Sequence, residues 1–368
     1  MLVAYKYRLY PTDVQKEFLH YQLREACDLY NAALEERRGA WKICRKSIYY
    51  CDQANQLKAM RAEALINVAN FSCCQDVLRR VDKAYKAFFR RVRHGEKPGF
   101  PRFRSRRRYD SITFPSYGDG CRLNAKLLRI QGAGEIKVKL HRAIKGRIKT
   151  VTIKREINKW FVVFSVEREV DPLPKSNAEI GIDVGLNRFA ALSDSTEVAN
   201  PRFMEGESKR LKRAQRKLCR CKKGSNNRRK AAIIVAKIHR KIQNQRSDFQ
   251  HNLSRSLVNN YGMIAVEDLN YKGLCRGRFA RSVHDAGWSS FFQKLSYKAA
   301  EAGRELVKVD PRGTSQACLC GASVPKTLAD RRHRCHSCGL DAPRDVVSAQ
   351  IILQRARIEP SRRNVEGC

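Results

Sequence analysis

The sequence predicts a mixed chain in two parts, an α+β region followed by an α/β region. Three observations carry this. Helical apolar spacing runs through 11–94, strand-like alternation fills 112–170, and after residue 175 short apolar runs alternate with helical stretches. With 368 residues there is room for two or three domains, and a hydrophobic fraction of 42% suits a folded interior.

Residues 2–10 (LVAYKYRLY) predict a short strand, after which Pro11 opens a helix. Val14, Phe18, Leu23, Cys27, Tyr30 and Leu34 recur near helical spacing, and helix continues to about Arg93, where Leu78, Val81, Tyr85, Phe88 and Val92 form a packing stripe. From His94 onward Gly95, Pro98, Gly99 and Pro101 break the helix, and Arg102, Arg104, Arg106, Arg107 and Arg108 follow. Phe100 and Phe103, interleaved with them, are expected to anchor this loop in the core rather than to stack on bases. EIKVKLH, TVTIKREI and KWFVVFSVE predict strands, and Asp171, Pro172 and Pro174 a linker. The first part is therefore a β domain over 1–10 and 95–174 carrying a helical insert over 11–94.

The second part opens on EIGIDVGLNRFAALSD, an apolar strand, a glycine turn and a second strand. Residues 208–246 hold 16 Lys or Arg and no Asp or Glu; KKGSNN splits them into a helical hairpin with Ile233, Ile234, Ile238 and Ile242 along one face. GMIAVEDL predicts a buried strand, Asp285 a cap for a helix from Ala286 to about Gly303, and Leu306–Val309 another strand. A last helix starts at Asp345. The α/β core is thus expected over 175–310 and 340–358, interrupted by a cysteine-bearing insert at 311–339, with a disordered tail over 359–368.

Charge narrows the function. Seventy-five Lys and Arg against 36 Asp and Glu leave +39, a self-repulsion that a polyanion would neutralise. Without acidic neighbours the hairpin would repel itself, so its first arm (Lys209, Arg210, Lys212, Arg213, Arg216, Lys217) and the loop arginines Arg102, Arg104, Arg106 and Arg107 are expected on nucleic-acid phosphates. The longest apolar stretches are too short to span a bilayer, and MLVAYKYRLYP lacks a signal-peptide core. A cytoplasmic, nucleoid-associated protein follows, and its 14 cysteines are expected to be reduced.

Two sets of residues carry chemistry. Asp183 lies within one apolar strand, Glu267 ends another, and Asp345 begins the last helix. A carboxylate beside a buried strand costs desolvation energy unless something pairs with it, and for each alone a Lys or Arg partner would suffice. Together they match a ribonuclease-H-like core, in which carboxylates converge at one edge of a mixed sheet and hold two divalent ions roughly 4 Å apart. Mg²⁺ suits such hard oxygen donors. Cys318, Cys320, Cys335 and Cys338 form C-x-C, a 14-residue loop and C-x-x-C, a set suited to structural Zn²⁺, with His333 or His336 as substitutes for a badly placed thiolate.

GIDVGLNRFAAL, VEDLNYKGL, DAGWSSFFQKLSYKAAEAGRELVKVDPRGTSQ and RHRCHSCGLDAPRDVVSAQIIL, in this order, closely resemble the RuvC-like nuclease of the TnpB family. YRLYPT and KPGFPRFRS extend the resemblance over nearly the whole chain. It implies a RuvC-like nuclease core with a zinc-finger insert, preceded by a β-barrel-like wedge domain carrying a helical recognition insert. It also implies an RNA-guided DNA endonuclease, working as a monomer with a guide RNA from the transposon end on double-stranded DNA beside a short adjacent motif. Asp183, Glu267 and Asp345 match the three catalytic carboxylates, with Asp341 a weaker candidate for the third. Two departures stand out. Val347, Ser348 and Ala349 replace the usual Asn-Ala-Ala, and the first knuckle is one residue short. The rival readings are a non-cutting guided regulator, which the three carboxylates disfavour, a transposase acting without RNA, and a junction resolvase.

Overall fold

The structure, a computed structural model, describes residues 1–327 and 329–358, so the tail expectation lies outside the described residues. The chain divides into two units, Met1–Glu169 and Val170–Cys368.

In the first unit β1 (Leu2–Tyr10) buries Tyr5, Tyr7 and Leu9 on one face, as strand alternation requires. The helical stretch is three helices, α1 (Asp13–Cys44), α2 (Tyr50–Ala62) and α3 (Phe71–Arg93). Thr12 and Gln15 start α1 with a reciprocal capping box, a pairing that contributes about 1 kcal/mol. Six short strands follow: β2 (Ser111–Phe114), β3 (Cys121–Asn124), β4 (Leu127–Ile130), β5 (Gly134–Lys139), β6 (Arg147–Glu156) and β7 (Lys159–Glu167). They join β1 in an antiparallel sheet of order β2-β6-β7-β1-β5-β4-β3. The alternating Trp160, Val162, Phe164 and Val166 of β7 pack with β1 and the helices in one core.

In the second unit β8 (Glu179–Val184), β9 (Arg188–Leu192) and β10 (Glu197–Ala199) form a meander. The short α4 (Phe203–Gly206) precedes the basic hairpin of α5 (Ser208–Arg220) and α6 (Asn226–Asn260). Its second arm runs well past residue 246. Ile238 and Ile242 are buried with Leu211, whereas Ile233 and Ile234 remain 39% and 43% exposed, so only part of the predicted isoleucine face packs.

Next come β11 (Met263–Glu267), α7 (Tyr271–Leu274), α8 (Ala280–Ala286), α9 (Trp288–Ala302) and β12 (Glu305–Val309), then the hairpin of β13 (Arg332–Arg334) with β14 (Asp341–Pro343), and finally α10 (Arg344–Ile358). The sheet order is β10-β9-β8-β11-β12, with β11 parallel to both β8 and β12. Asp285 does not cap the following helix. It lies inside α8, accepts from Met204 N–H and Arg246, and leaves Gly287, at φ +65°, to separate α8 from α9. Among the described residues no helix is long and apolar enough to cross a membrane.

The two faces of this sheet have different cores. Ile180, Ile182, Ile264 and Val266 face α6 and α9; Ala265, Val307 and Val309 pack with Ile352, Leu353 and Ala356 of α10. Gly181 is what lets α10 come close. A Cβ there would lie 2.0 Å from the Ala349 carbonyl oxygen and 2.9 Å from Leu353 Cβ. Gly181→Ala must push α10 off the sheet, and overpacking of this kind costs about 1–3 kcal/mol. Chemical denaturation should show that loss, whereas Gly206→Ala, which has open space around its Cβ position, should leave stability nearly unchanged.

Candidate active site and metal-binding finger

Strand alternation positions the first two carboxylates. Ile182 pairs with Val266 across the parallel β8–β11 ladder, so Asp183 and Glu267 are the next residues on neighbouring strands. Each lies two positions after a residue that faces α10, Gly181 and Ala265 respectively, and so shares that face. Asp345 comes from the first turn of α10 itself. The three predicted residues therefore converge although they lie in widely separated parts of the sequence.

Their electrostatics reflect the crowding. Burial, then the facing Glu267 and Asp345 charges, push the Asp183 carboxyl well above its ordinary range, opposed by Arg344 and the Val184 N–H. Burial also raises Glu267, against the Thr314 hydroxyl and Arg355. Among the described residues none of the three carboxylates forms an ion pair, so the structural pairing that each alone could have had is not what the fold provides. The nearby arginines are engaged with backbone instead. Arg344 donates to the Thr327 and Asp330 carbonyls, and Arg355 to those of Asp310 and Arg312. Crowded oxygen ligands with no cationic side chain paired to them suit divalent cations, whose charge would favour the ionised carboxylates that burial opposes.

Thr314 was not singled out from the sequence. It is buried, and its hydroxyl donates to Glu267 Oε1 at 2.5 Å, with the Pro311 carbonyl a second acceptor at 3.0 Å. One proton serves one acceptor at a time, and the shorter, charge-assisted contact takes it. Gly181 was also missed, although a glycine in an apolar strand two residues before an acidic one is a signal of close backbone approach. Asp341 is not part of this site. It pairs with Arg332 and Arg334 across the β13–β14 hairpin, and the Arg332 hydrogen bond holds its carboxyl below the usual range.

The four cysteines also come together, with all Sγ atoms within 4.8 Å of one another. Cys318 and Cys338 lie 3.6 Å apart, and Cys320 and Cys335 3.7 Å. Gly321 and Gly339, at φ +88° and +74°, turn the chain after each pair. The crowded thiols share protons: the Cys338 backbone N–H above all lowers Cys335, whereas burial raises Cys318. This four-cysteine group can hold a metal ion even with the shortened knuckle. Neither histidine is needed as a substitute: His333 is fully buried with Nδ1 against Lys326 Nζ at 2.5 Å.

The predicted nucleic-acid residues divide. Lys209, Arg210, Lys212, Arg213, Arg216 and Lys217 are exposed along α5, with Arg210 loosely paired to Glu207. Arg102, Arg104 and Arg107 are exposed in the 99–108 loop, but Arg106 is tied to Asp28 by two hydrogen bonds, at 2.7 and 3.0 Å. Phe100 packs edge-on against Phe88 and Tyr85, yet it and Phe103 are each 46% exposed, so core anchoring accounts for only part of each ring.

The second unit thus holds a sheet edge with three carboxylates and a four-cysteine finger, on a chain of charge +39. The mini RNA-guided endonuclease CRISPR-Cas phi3 shares the fold, with a TM-score of 0.56 at 9% identity over 99% of this chain and 93% of that one. Residues 161–278 match a family model described as a probable transposase, 288–352 a Cas12f1-like TNB domain, and 1–46 a helix-turn-helix domain. In this structure the last region is one strand and the single long helix α1. A Streptomyces pristinaespiralis protein named as an RNA-guided DNA endonuclease is 32% identical, covering 95% of this chain and 88% of its own length. The Escherichia coli K12 protein InsQ, named likewise, is 30% identical over 96% and 92%. The chain belongs to the TnpB family.

The Thr314 contact makes a testable claim. A hydrogen-bond donor that orients a carboxylate typically raises the affinity of any metal ion that carboxylate takes by about 10–100-fold, so Thr314 tests whether Glu267 takes one. Thr314→Val should lose Mn²⁺ affinity in titration calorimetry by that factor, and Thr314→Ser, which keeps the hydroxyl, should retain it.

Proposed function

We propose that this protein is an RNA-guided DNA endonuclease that cuts by divalent-metal-assisted phosphodiester hydrolysis. The observation that carries the reading is the convergence of Asp183, Glu267 and Asp345, unpaired, at one edge of a mixed sheet in a chain of charge +39. The relatives' names as RNA-guided DNA endonucleases point the same way. In this reading the five-stranded sheet with α10 is a ribonuclease-H-like, RuvC-type nuclease domain, and 311–339 is its zinc-finger insert. The β-rich part of the first unit is the wedge, and α1–α3 form the recognition insert.

Asp183, Glu267 and Asp345 would hold two Mg²⁺ ions, which supply hydroxide at neutral pH and neutralise charge at the leaving oxygen. The chain's own part is positioning. Thr314 fixes the Glu267 carboxylate, Gly181 admits α10, and Arg355 and Arg344 tie the start and the middle of the finger to the helix that bears Asp345. The α5 cations with Arg102, Arg104 and Arg107 hold phosphates, and Arg106 would join them only by exchanging Asp28. Base pairing between a guide RNA from the transposon end and the target strand reads sequence, beside a short adjacent motif recognised by the protein.

The finger takes Zn²⁺. Zn–S bonds of about 2.3 Å in a tetrahedron set sulfurs ~3.8 Å apart, close to the spacings of 3.6 and 3.7 Å in the two contacting pairs. Chelation with a strong zinc chelator should release about one equivalent, read with a colorimetric dye, and lower the unfolding temperature. Cys335→Ser should reproduce the shift.

The functional test purifies the protein with its host RNA and supplies matched target DNA. A single abundant RNA species and Mg²⁺-dependent cutting are expected, and Asp183→Ala should bind the same target without cutting it. Cleavage by RNA-stripped protein, or undiminished cutting by Asp183→Ala, would sink the proposal.

A further inference from the structure

The first unit contains a cleft of about 950 Å³ between α3 and the loop that follows it. Ala84 and Ala87 of α3 form a low floor, and Phe100, Phe103, Arg102, Arg104, Arg107 and Arg108 of the following loop form the wall. This loop is held in place rather than free. Asn31 exchanges two hydrogen bonds of 2.8 Å with the Arg104 backbone, one from its amide to the carbonyl and one from the Arg104 N–H to its side-chain oxygen. Arg91 donates to the Gly99 carbonyl, and the Phe100 ring is wedged against Phe88.

The wall has an unusual composition for a surface loop. Arg38 of α1 lies 5.0 Å from the centroid of the Phe103 ring and 5.8 Å from that of Phe100, a cation–π arrangement that leaves each ring about half exposed. Among the described residues Arg102, Arg107 and Arg108 have no carboxylate partner, and all three are exposed in the same wall. An aromatic face next to several uncompensated cations matches one ligand chemistry: a π-face joined to a phosphate.

We propose that this cleft binds an unpaired, unstacked nucleotide segment of the guide RNA, with a base on the open face of Phe103 and the flanking phosphates on Arg102 and Arg107. The proposal rests on the guided-endonuclease reading and adds the place and chemistry of one contact. RNA is the favoured strand for a physical reason. A folded RNA permanently presents loop and bulge bases splayed out of their helices, whereas duplex DNA keeps its bases stacked until it is opened, and a pre-formed aromatic cleft suits bases that are already free. The preorganised loop also loses little entropy on binding, because Asn31 and Arg91 hold it already.

The test uses full-length protein stripped of RNA, with three fluorescent probes: a 12-nucleotide oligouridylate, the matching single-stranded oligothymidylate, and a 12-base-pair duplex DNA. Phe103→Ala and Phe103→Leu should each weaken oligouridylate binding roughly 5- to 100-fold, since leucine retains apolar contact but has no flat face on which a base can stack. Phe103→Trp should bind as wild type or tighter. Arg102→Ala should lower the magnitude of the log–log salt slope by about 0.7, the single-strand value per phosphate, whereas Phe103→Ala should leave that slope unchanged. Near-wild-type affinity in Phe103→Leu would make the ring an ordinary apolar anchor and overturn the proposal. A loss confined to the DNA probes would overturn the assignment to RNA. Failure of the parent reading has a different signature: wild-type protein that neither copurifies with a discrete RNA nor binds the oligouridylate sinks the guided-endonuclease proposal, while wild-type RNA binding with indifferent Phe103 variants sinks this one alone.

Discussion

The contact between α10 and β8 at Gly181 governs the C-terminal unit. An ordinary side chain at that position would meet the Ala349 carbonyl oxygen at 2.0 Å, a distance no packed structure tolerates, so only glycine permits the helix to lie directly on the strand. Everything at the carboxylate edge depends on this approach. Asp345 is the second residue of α10, and its distance from Asp183 is set by how far the helix stands off the sheet. The same contact determines which apolar residues of β11 and β12 are covered, since Ala265, Val307 and Val309 find their partners in the last turns of that helix.

A second consequence concerns charge. In a chain with 75 cationic side chains, three crowded carboxylates would be expected to attract arginines. Two arginines are nearby, but each is committed to carbonyl oxygens, Arg344 to those in the middle of the finger and Arg355 to those where it begins. They lend long-range field without closing an ion pair, so the carboxylates keep their lone pairs available. Thr314 acts similarly: a neutral donor orients Glu267 and leaves its charge in place. The carboxylate edge is thus held by groups that do not neutralise it.

The finger is attached to the same helix from the other direction. Its β13–β14 hairpin leads directly into α10, and Asp341 is consumed there in bridging Arg332 and Arg334. Ordering of the four-cysteine loop therefore bears on the start of the helix that carries Asp345. The shortened C-x-C knuckle does not keep the thiols apart, since Cys320 lies 3.7 Å from Cys335 and Gly321 turns the chain directly after it.

Composition and spacing were enough to point to a polyanion, to put the longer elements after residue 175 in order, and to single out the three carboxylates that the fold brings together and the four cysteines that meet. These are local properties: a charge excess, a two-residue alternation and a ligand spacing survive in one dimension. The breaks at Gly95 and Pro98 were legible for the same reason, because those residues restrict the backbone wherever they occur. Folding was needed to put Asp183 and Glu267 on one face with α10, to bring Thr314 to Glu267 across 47 positions, and to pair Arg106 while leaving Arg102 and Arg107 open. It likewise left Phe100 and Phe103 half exposed against the expectation of anchoring, and gave Asp285 a partner in Arg246 instead of a helix cap. Each of these depends on which surfaces meet after folding, and a side chain's partner across such a surface is not encoded in its neighbours along the chain.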